Sequence, residues 1–149
     1  GSGPFPTELK DETGNKLRDI GREFGSTTGR PRRCGWLDLP ALRYAIMING
    51  VTRLFMTKSD VMSGFSSIKV CTSYRSGAKE FYEIPFDNTQ FEPVYTEMAG
   101  WQEDISHIRE FDKLPLNLKN YIKFIEDKTG IPVTLVSVGP DREETIFRA

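Results

Sequence analysis

Val51-Thr52-Arg53-Leu54-Phe55-Met56-Thr57-Lys58-Ser59-Asp60 is the stretch on which the fold turns: three consecutive apolar residues followed at once by hydroxyls and charge. A continuous apolar run of this kind predicts a strand covered on both faces, as in a parallel or mixed sheet layered by helices. Lys58-Ser59-Asp60 then stands at the carboxyl end of that strand, the edge where open α/β sheets place their ligands.

Working outward, the segment upstream predicts a helix. Asp38 is suited to the N-cap, Pro40 to the first turn, Leu39, Leu42 and Ile46 share a face, and Asn49-Gly50 suits the end. Before it comes Gly25-Ser26-Thr27-Thr28-Gly29-Arg30-Pro31-Arg32-Arg33, with three hydroxyls, two glycines and three arginines in nine residues. Such a loop cannot pack a core but can surround an anion with hydroxyl, N–H and guanidinium donors; a turn whose arginines face water fits the composition equally well. Between Lys10 and Phe24, a Thr13-Gly14-Asn15 turn signal precedes Leu17, Ile20 and Phe24 at helical spacing, which predicts a short helix delivering the arginine loop. Asp11 and Glu12 read as surface charge. Pro4 and Pro6 keep the preceding segment extended, so the chain opens as though in the middle of a domain. Gly1-Ser2-Gly3 has the composition of an appended tag.

Downstream, Ile68, Val70, Thr72 and Tyr74 alternate along Ser67–Tyr74, and Arg75-Ser76-Gly77-Ala78 turns that strand back into Lys79–Ile84 as a hairpin. Pro85–Gln90 reads as loop and Glu92–Met98 as a further strand. Pro115 opens a helix with Leu118, Tyr121, Ile122 and Ile125 on one face, closed by Thr129-Gly130. Val133–Val138 predicts a second buried strand, ending in Ser137-Val138-Gly139-Pro140, and Thr145–Phe147 a last short one. The expected fold class is α/β, strands alternating with helices around a β-hairpin insert, as one region over residues 1–149.

Composition bounds the function. The 149 residues hold 38% hydrophobic residues and aromatics along their whole length, which suits a folded domain. A net charge of -1 gives no global field toward nucleic acid or a membrane, so neither is expected as a partner and any electrostatic function is local, as in the cluster Arg22, Arg30, Arg32 and Arg33. Cys34 and Cys71 lie far apart with no C-x-x-C spacing, so buried free thiols are expected rather than a zinc site. There is no apolar run long enough to span a membrane and no secretory pattern, and a cytoplasmic location is expected. His107, the single histidine, has no nucleophile or carboxylate pattern beside it.

Three loops could carry chemistry: the arginine loop, Thr57-Lys58-Ser59-Asp60, and Ser137-Val138-Gly139-Pro140. A carboxylate after a strand can accept from the N1–H and exocyclic amine of guanine, with a lysine stem over the base. Backbone N–H groups of the Ser-x-Gly turn could serve its O6, since glycine lets the main chain come close. Ser59-Asp60 fits an N-cap at Val61 as well, and Ser137–Pro140 fits a plain strand-ending turn.

The segments Gly-Pro-Phe-Pro-Thr-Glu from Gly3, Glu-Phe-Gly-Ser-Thr-Thr-Gly-Arg-Pro-Arg-Arg-Cys-Gly-Trp-Leu-Asp from Glu23, Thr-Lys-Ser-Asp-Val from Thr57, Glu-Pro-Val-Tyr from Glu92 and Ser-Val-Gly-Pro-Asp-Arg from Ser137 closely resemble the carboxyl-terminal part of adenylosuccinate synthetase, in that order. The resemblance covers essentially the whole chain, admits Gly1-Ser2-Gly3 as native, and implies a P-loop-NTPase-like fold. That family joins IMP and L-aspartate at the expense of GTP, with Mg2+, in purine and AMP biosynthesis: GTP phosphorylates the 6-oxygen of IMP and the amine of aspartate displaces phosphate. The resemblance implies that Ser26, Thr27, Thr28, Gly29, Arg30, Pro31 and Arg32 form the substrate loop over aspartate, with Thr27 and Thr28 on its carboxylates, Arg30 shared with IMP and Arg32 near GTP. Lys58, Ser59 and Asp60 match the guanine-recognition segment, and Ser137, Val138 and Gly139 the second base-contacting loop. Ser59 stands where many relatives carry leucine.

The family's glycine-rich phosphate loop, catalytic aspartate and histidine, and main magnesium ligands have no counterpart here, and no G-x-x-x-x-G-K occurs in the 149 residues. The resemblance therefore implies no catalytic residue and no metal ligand in this segment, a parent enzyme that is a cytoplasmic homodimer, and an isolated chain without activity. The alternative is a stand-alone, non-catalytic nucleotide-binding or interaction module that keeps these loops.

Overall fold

The computed structural model describes residues 3–85 and 90–148. In chain order these form α1 (Glu12–Ile20), β1 (Leu37–Asp38), α2 (Leu39–Asn49), β2 (Leu54–Met56), β3 (Ser67–Ser76), β4 (Lys79–Phe81), β5 (Glu92–Ala99), α3 (Leu116–Thr129), β6 (Val133–Ser137) and β7 (Thr145–Phe147). The expected α/β class is what the elements show. They group into two compact units, Gly1–Ala41 with Lys69–Thr96 and Leu42–Ile68 with Glu97–Ala149.

In the first unit, β3 pairs with β1 in parallel, with β4 in antiparallel, and with β5. Val70, Cys71 and Tyr74 of β3 are buried with Trp36 and Leu17, and the Tyr74, Phe81 and Phe91 rings pack at 4.5–6.0 Å. The extended prolines near the start are tied in by Thr7, whose buried hydroxyl donates to the Trp36 carbonyl at 2.7 Å. Asp38 does cap α2, accepting from Ala41 N–H at 3.1 Å, and it also receives the Tyr74 hydroxyl at 2.7–2.8 Å.

Three expectations fail in this unit. Thr13-Gly14-Asn15 is not a turn but lies inside α1, capped by Asp11, whose Oδ1 accepts from Gly14 N–H at 3.0 Å. Gly14 serves packing instead, because a Cβ there would run into the main chain of Leu9. Phe24 stands outside the helix: Arg22 turns into the left-handed region at φ 49, and Phe24 then bridges to Pro31. The return strand of the hairpin stops at Phe81 rather than Ile84, the chain bending at Tyr82-Glu83 once the Phe81 ring is packed. Of the expected loop Pro85–Gln90, residues 86–89 lie outside the described residues, as do Gly1 and Ser2.

In the second unit the sheet order is β2-β6-β7, with β2 parallel and β7 antiparallel to β6. α3 buries the predicted face, Leu118, Tyr121, Ile122 and Ile125, in a core with Trp101, Ile105, Val133, Val136 and Ile146, and ends at Gly130 with φ 70. Glu126 locks helix to sheet: its Oε1 accepts from Val133 N–H and from Arg148 Nη1, both at 2.7 Å. The strand expected to be covered on both faces is not. Phe55 of β2 is 66% exposed, because its face of the sheet has no layer over it among the described residues.

Candidate functional site

Parallel pairing of β2 with β6, Phe55 opposite Leu135 and Met56 opposite Val136, brings the carboxyl ends of both strands to one edge of the sheet. Lys58-Ser59-Asp60 and Ser137-Val138-Gly139, remote in sequence, therefore lie side by side, and the 3-10 turn Ser59–Met62 packs on β6.

Lys58 turns the chain in the left-handed region, φ 59 and ψ 38, a conformation that a lysine adopts at a cost. It aims the next two residues inward. Asp60 is half-buried and its Oδ1 is enclosed without a hydrogen-bond partner among the described residues, so it does not act as the cap that one reading allowed. A buried carboxylate oxygen left unpaired costs on the order of 1–3 kcal/mol, more when charged, which a ligand donor would recover. Ser59 is wholly buried and its hydroxyl has no partner among the described residues, so its side chain faces the core and not the edge.

In the second loop the Ser137 hydroxyl donates to the Gly139 carbonyl at 3.0 Å, and Val138 N–H is taken up by the Glu144 carbonyl at 2.8 Å. Gly139 N–H has no acceptor among the described residues, which leaves it as the donor this loop can offer. A Cβ at Gly139 would strike the Glu144 carboxylate, which accepts from Asp141 N–H at 2.9 Å. Glu144 is a site-shaping residue that the sequence reading passed over; Asp141-x-x-Glu144 after a strand end was the available signal.

The arginine loop belongs to the first unit. Its neck is a short ladder: Arg32 N–H to Glu23 carbonyl at 2.9 Å, Gly25 N–H to Arg30 carbonyl at 2.8 Å, and Gly29 N–H back to Gly25 carbonyl at 2.8 Å. Gly29 sits at φ 65, where a side chain would be strained. Residues 26–33 are all exposed. The Arg32 guanidinium pairs with Glu23 at 2.9 Å, and the Arg32 carbonyl accepts from Arg18 Nε at 2.9 Å. Arg33 is structural: it donates to the Gly3 carbonyl at 2.8 Å and stands 5.5 Å from the Phe5 ring centroid. The Ser26 and Thr27 hydroxyls and the Arg30 guanidinium engage no described residue, while Thr28 Oγ1 accepts from Arg30 N–H at 3.4 Å. Arg18 and Glu23 were missed; their signal was one opposite charge and one helix-borne arginine flanking the loop.

His107 is exposed in an irregular segment, and both cysteines are free, Cys71 buried as expected but Cys34 only half-buried. Cys34 is less covered than expected because it follows directly on the exposed loop.

A profile of the family described as adenylosuccinate synthetase matches residues 1–146. The chain is 53% identical over 150 residues to the adenylosuccinate synthetase of Christiangramia forsetii, 53% over 149 to that of Parabacteroides distasonis and 55% over 150 to that of Geotalea uraniireducens. Each alignment takes in 99% of this chain but only 35–36% of the relative. Among solved structures, the fully ligated adenylosuccinate synthetase from Plasmodium falciparum superposes with a TM-score of 0.90 at 41% identity, over 100% of this chain and 37% of that one.

Proposed function

The chain belongs to the adenylosuccinate synthetase family, and we propose that it supplies guanine recognition and the aspartate- and IMP-binding loop to an enzyme that joins IMP and L-aspartate with hydrolysis of GTP. In this reading Asp60 accepts from N1–H and the exocyclic amine of guanine, the Lys58 stem covers the base, and Gly139 N–H donates to O6. Ser59, Ser137 and Val138 shape that wall through their backbone. Thr27 and Thr28 donate to the aspartate carboxylates, Arg30 spans aspartate and IMP, and Arg32, held by Glu23 through one Nη, offers its remaining N–H donors to GTP.

The observation that carries the reading is the juxtaposed carboxyl ends of β2 and β6, with an enclosed, unpartnered Asp60 oxygen at that edge. Among the described residues no three His, Cys, Asp or Glu side chains group to hold a metal ion. They therefore offer no all-protein cage for the Mg2+ of the family, an ion ordinarily held by one or two carboxylates together with substrate phosphates.

The segment spans about 36% of the length of the Christiangramia forsetii relative, and on the resemblance of its motifs we read it as the carboxyl-terminal part. A native reading frame that extends upstream through a glycine-rich phosphate loop is expected; one that extends downstream instead would overturn that placement. In the cell the enzyme would act in the cytoplasm as a homodimer.

The decisive test is Asp60→Asn in the full-length enzyme. The amide accepts only at its oxygen and sets its N–H2 against the guanine amine, whereas xanthine offers a carbonyl there. The mutant should lose GTP and favour XTP, with discrimination shifting by up to about 10⁴-fold in kcat/KM. An unchanged preference for GTP would refute the guanine assignment.

A further inference from the structure

The turn that joins β6 to β7 is closed by a single residue. The antiparallel ladder reaches Ser137 opposite Thr145, and its next rung is Val138 N–H to the Glu144 carbonyl at 2.8 Å. Glu144 N–H donates to the Asp141 carbonyl at 3.0 Å, and the Glu144 carboxylate accepts from Asp141 N–H at 2.9 Å. Pro140 has no N–H to give. From Val138 to Asp141, therefore, the main-chain donors are spent on Glu144, with Gly139 N–H alone left over among the described residues.

Gly139 is buried, and it is not one of the glycines whose backbone enters the left-handed region, so no positive φ demands a glycine there. What a Cβ would meet first is the Glu144 carboxylate. The missing side chain thus makes room for that carboxylate, which lies against the Gly139 Cα. A surface connection between strands is ordinarily the adjustable part of a fold. Here both neighbours of the free N–H are tied to one residue, and a donor fixed in advance has less to lose in ordering when a ligand arrives.

We infer that Glu144 is a positioning residue for recognition of the purine 6-position: its carbonyl and its carboxylate hold the turn so that Gly139 N–H stands ready at the sheet edge beside Lys58-Ser59-Asp60. The inference rests on the guanine reading proposed above, in which that N–H donates to O6. A fixed donor suits a 6-oxo purine, whose oxygen accepts, and opposes a 6-amino purine, whose nitrogen donates.

The test uses the full-length enzyme with GTP and ITP, which share O6 and N1–H and differ in the 2-amine. Glu144→Ala should lower kcat/KM for both by the same factor, roughly three- to tenfold, the worth of one neutral hydrogen bond. The GTP-to-ITP ratio should stay at its wild-type value, and KM for IMP and for L-aspartate at saturating GTP should not move. Glu144→Gln, whose amide oxygen can still accept from Asp141 N–H, should retain most of the wild-type value. Gly139→Ala, which displaces the carboxylate, should match Glu144→Ala, and the double variant should be no worse than either, a coupling that independent sites do not show. If Glu144→Ala does not fold, Gly139→Ala alone must show the equal loss for GTP and ITP. Asp60→Asn in parallel should collapse the GTP-to-ITP ratio. If it does so while Glu144→Ala leaves kcat/KM unchanged, shifts the ratio or multiplies with Gly139→Ala, the role of Glu144 is refuted and the guanine reading stands. A ratio unmoved by Asp60→Asn would refute both.

Discussion

Arg30, Arg32 and Arg33 fall within four positions, yet each is placed differently. Arg33 is bound into the first unit by Gly3 and Phe5, Arg32 is held by Glu23 at the loop neck, and the Arg30 guanidinium has no partner among the described residues. Composition showed a basic loop but not this division, because it depends on the neck ladder and on Glu23. The Glu23–Arg32 pair is solvent-exposed, so its direct contribution to stability is small, and its effect is to orient the guanidinium. In the full-length enzyme, Arg30→Ala should chiefly raise the aspartate requirement and slow turnover, while Arg32→Ala should also raise KM for GTP. Each lost charge-assisted contact is worth roughly 1.5–3 kcal/mol, about ten- to a hundredfold in kcat/KM. Near-normal steady-state kinetics in either variant would make the loop a solvated turn.

At the scale of elements, what local rules dictate was legible and what packing decides was not. The ends of α2 and α3 followed from Asp38, Gly50 and Gly130, and the strands β3, β5, β6 and β7 from alternation and apolar runs. Gly14 misled, since a glycine needed for the close approach of Leu9 has the same sequence appearance as one needed for a turn. Phe55 misled too, because an apolar run specifies a face that must be covered without saying which part of a polypeptide covers it. The adjacency of Asp60 and Gly139 followed only from β2 pairing with β6. A buried polar group on β1 and β3 gives a further prediction. Burial, with the Asp38 carboxylate adding to it, pushes the Cys71 thiol from an ordinary 9.0 up to about 12, and burial also moves Tyr95 to about 12 and Tyr74 higher. The folded chain therefore favours the neutral thiol, a contribution to stability fully present below about pH 9 and lost as pH rises toward 12. At pH 8 a thiol reagent should modify the half-buried Cys34 quickly and Cys71 only as the chain unfolds. Two equally fast thiols would show that the β1–β3 region opens readily.

At the scale of the whole molecule, two consequences follow from a chain that carries about a third of its relatives' length. Phosphoryl transfer depends on positioning and charge neutralisation by a phosphate cradle and metal; no G-x-x-x-x-G-K motif occurs in these 149 residues, and among the described residues no three His, Cys, Asp or Glu side chains group to hold a metal ion. The purified chain should form no adenylosuccinate from IMP, aspartate and GTP, and turnover that tracks with the purified chain would contradict this. The second consequence concerns solubility. With β2 unpaired on its outer edge among the described residues, and Phe55 and Phe147 exposed to either side of the half-buried Leu135 in one row across the sheet, the isolated chain presents both main-chain groups and apolar surface to any second copy. Its net charge of -1 supplies almost no repulsion to keep copies apart. The chain alone should therefore self-associate as its concentration rises, and Phe55→Ser/Phe147→Ser should reverse this at an unchanged circular dichroism spectrum, because both side chains are exposed and little core packing is lost. Light scattering that reports a monomer for the wild-type chain at high concentration would show that the row is too small to hold two copies together.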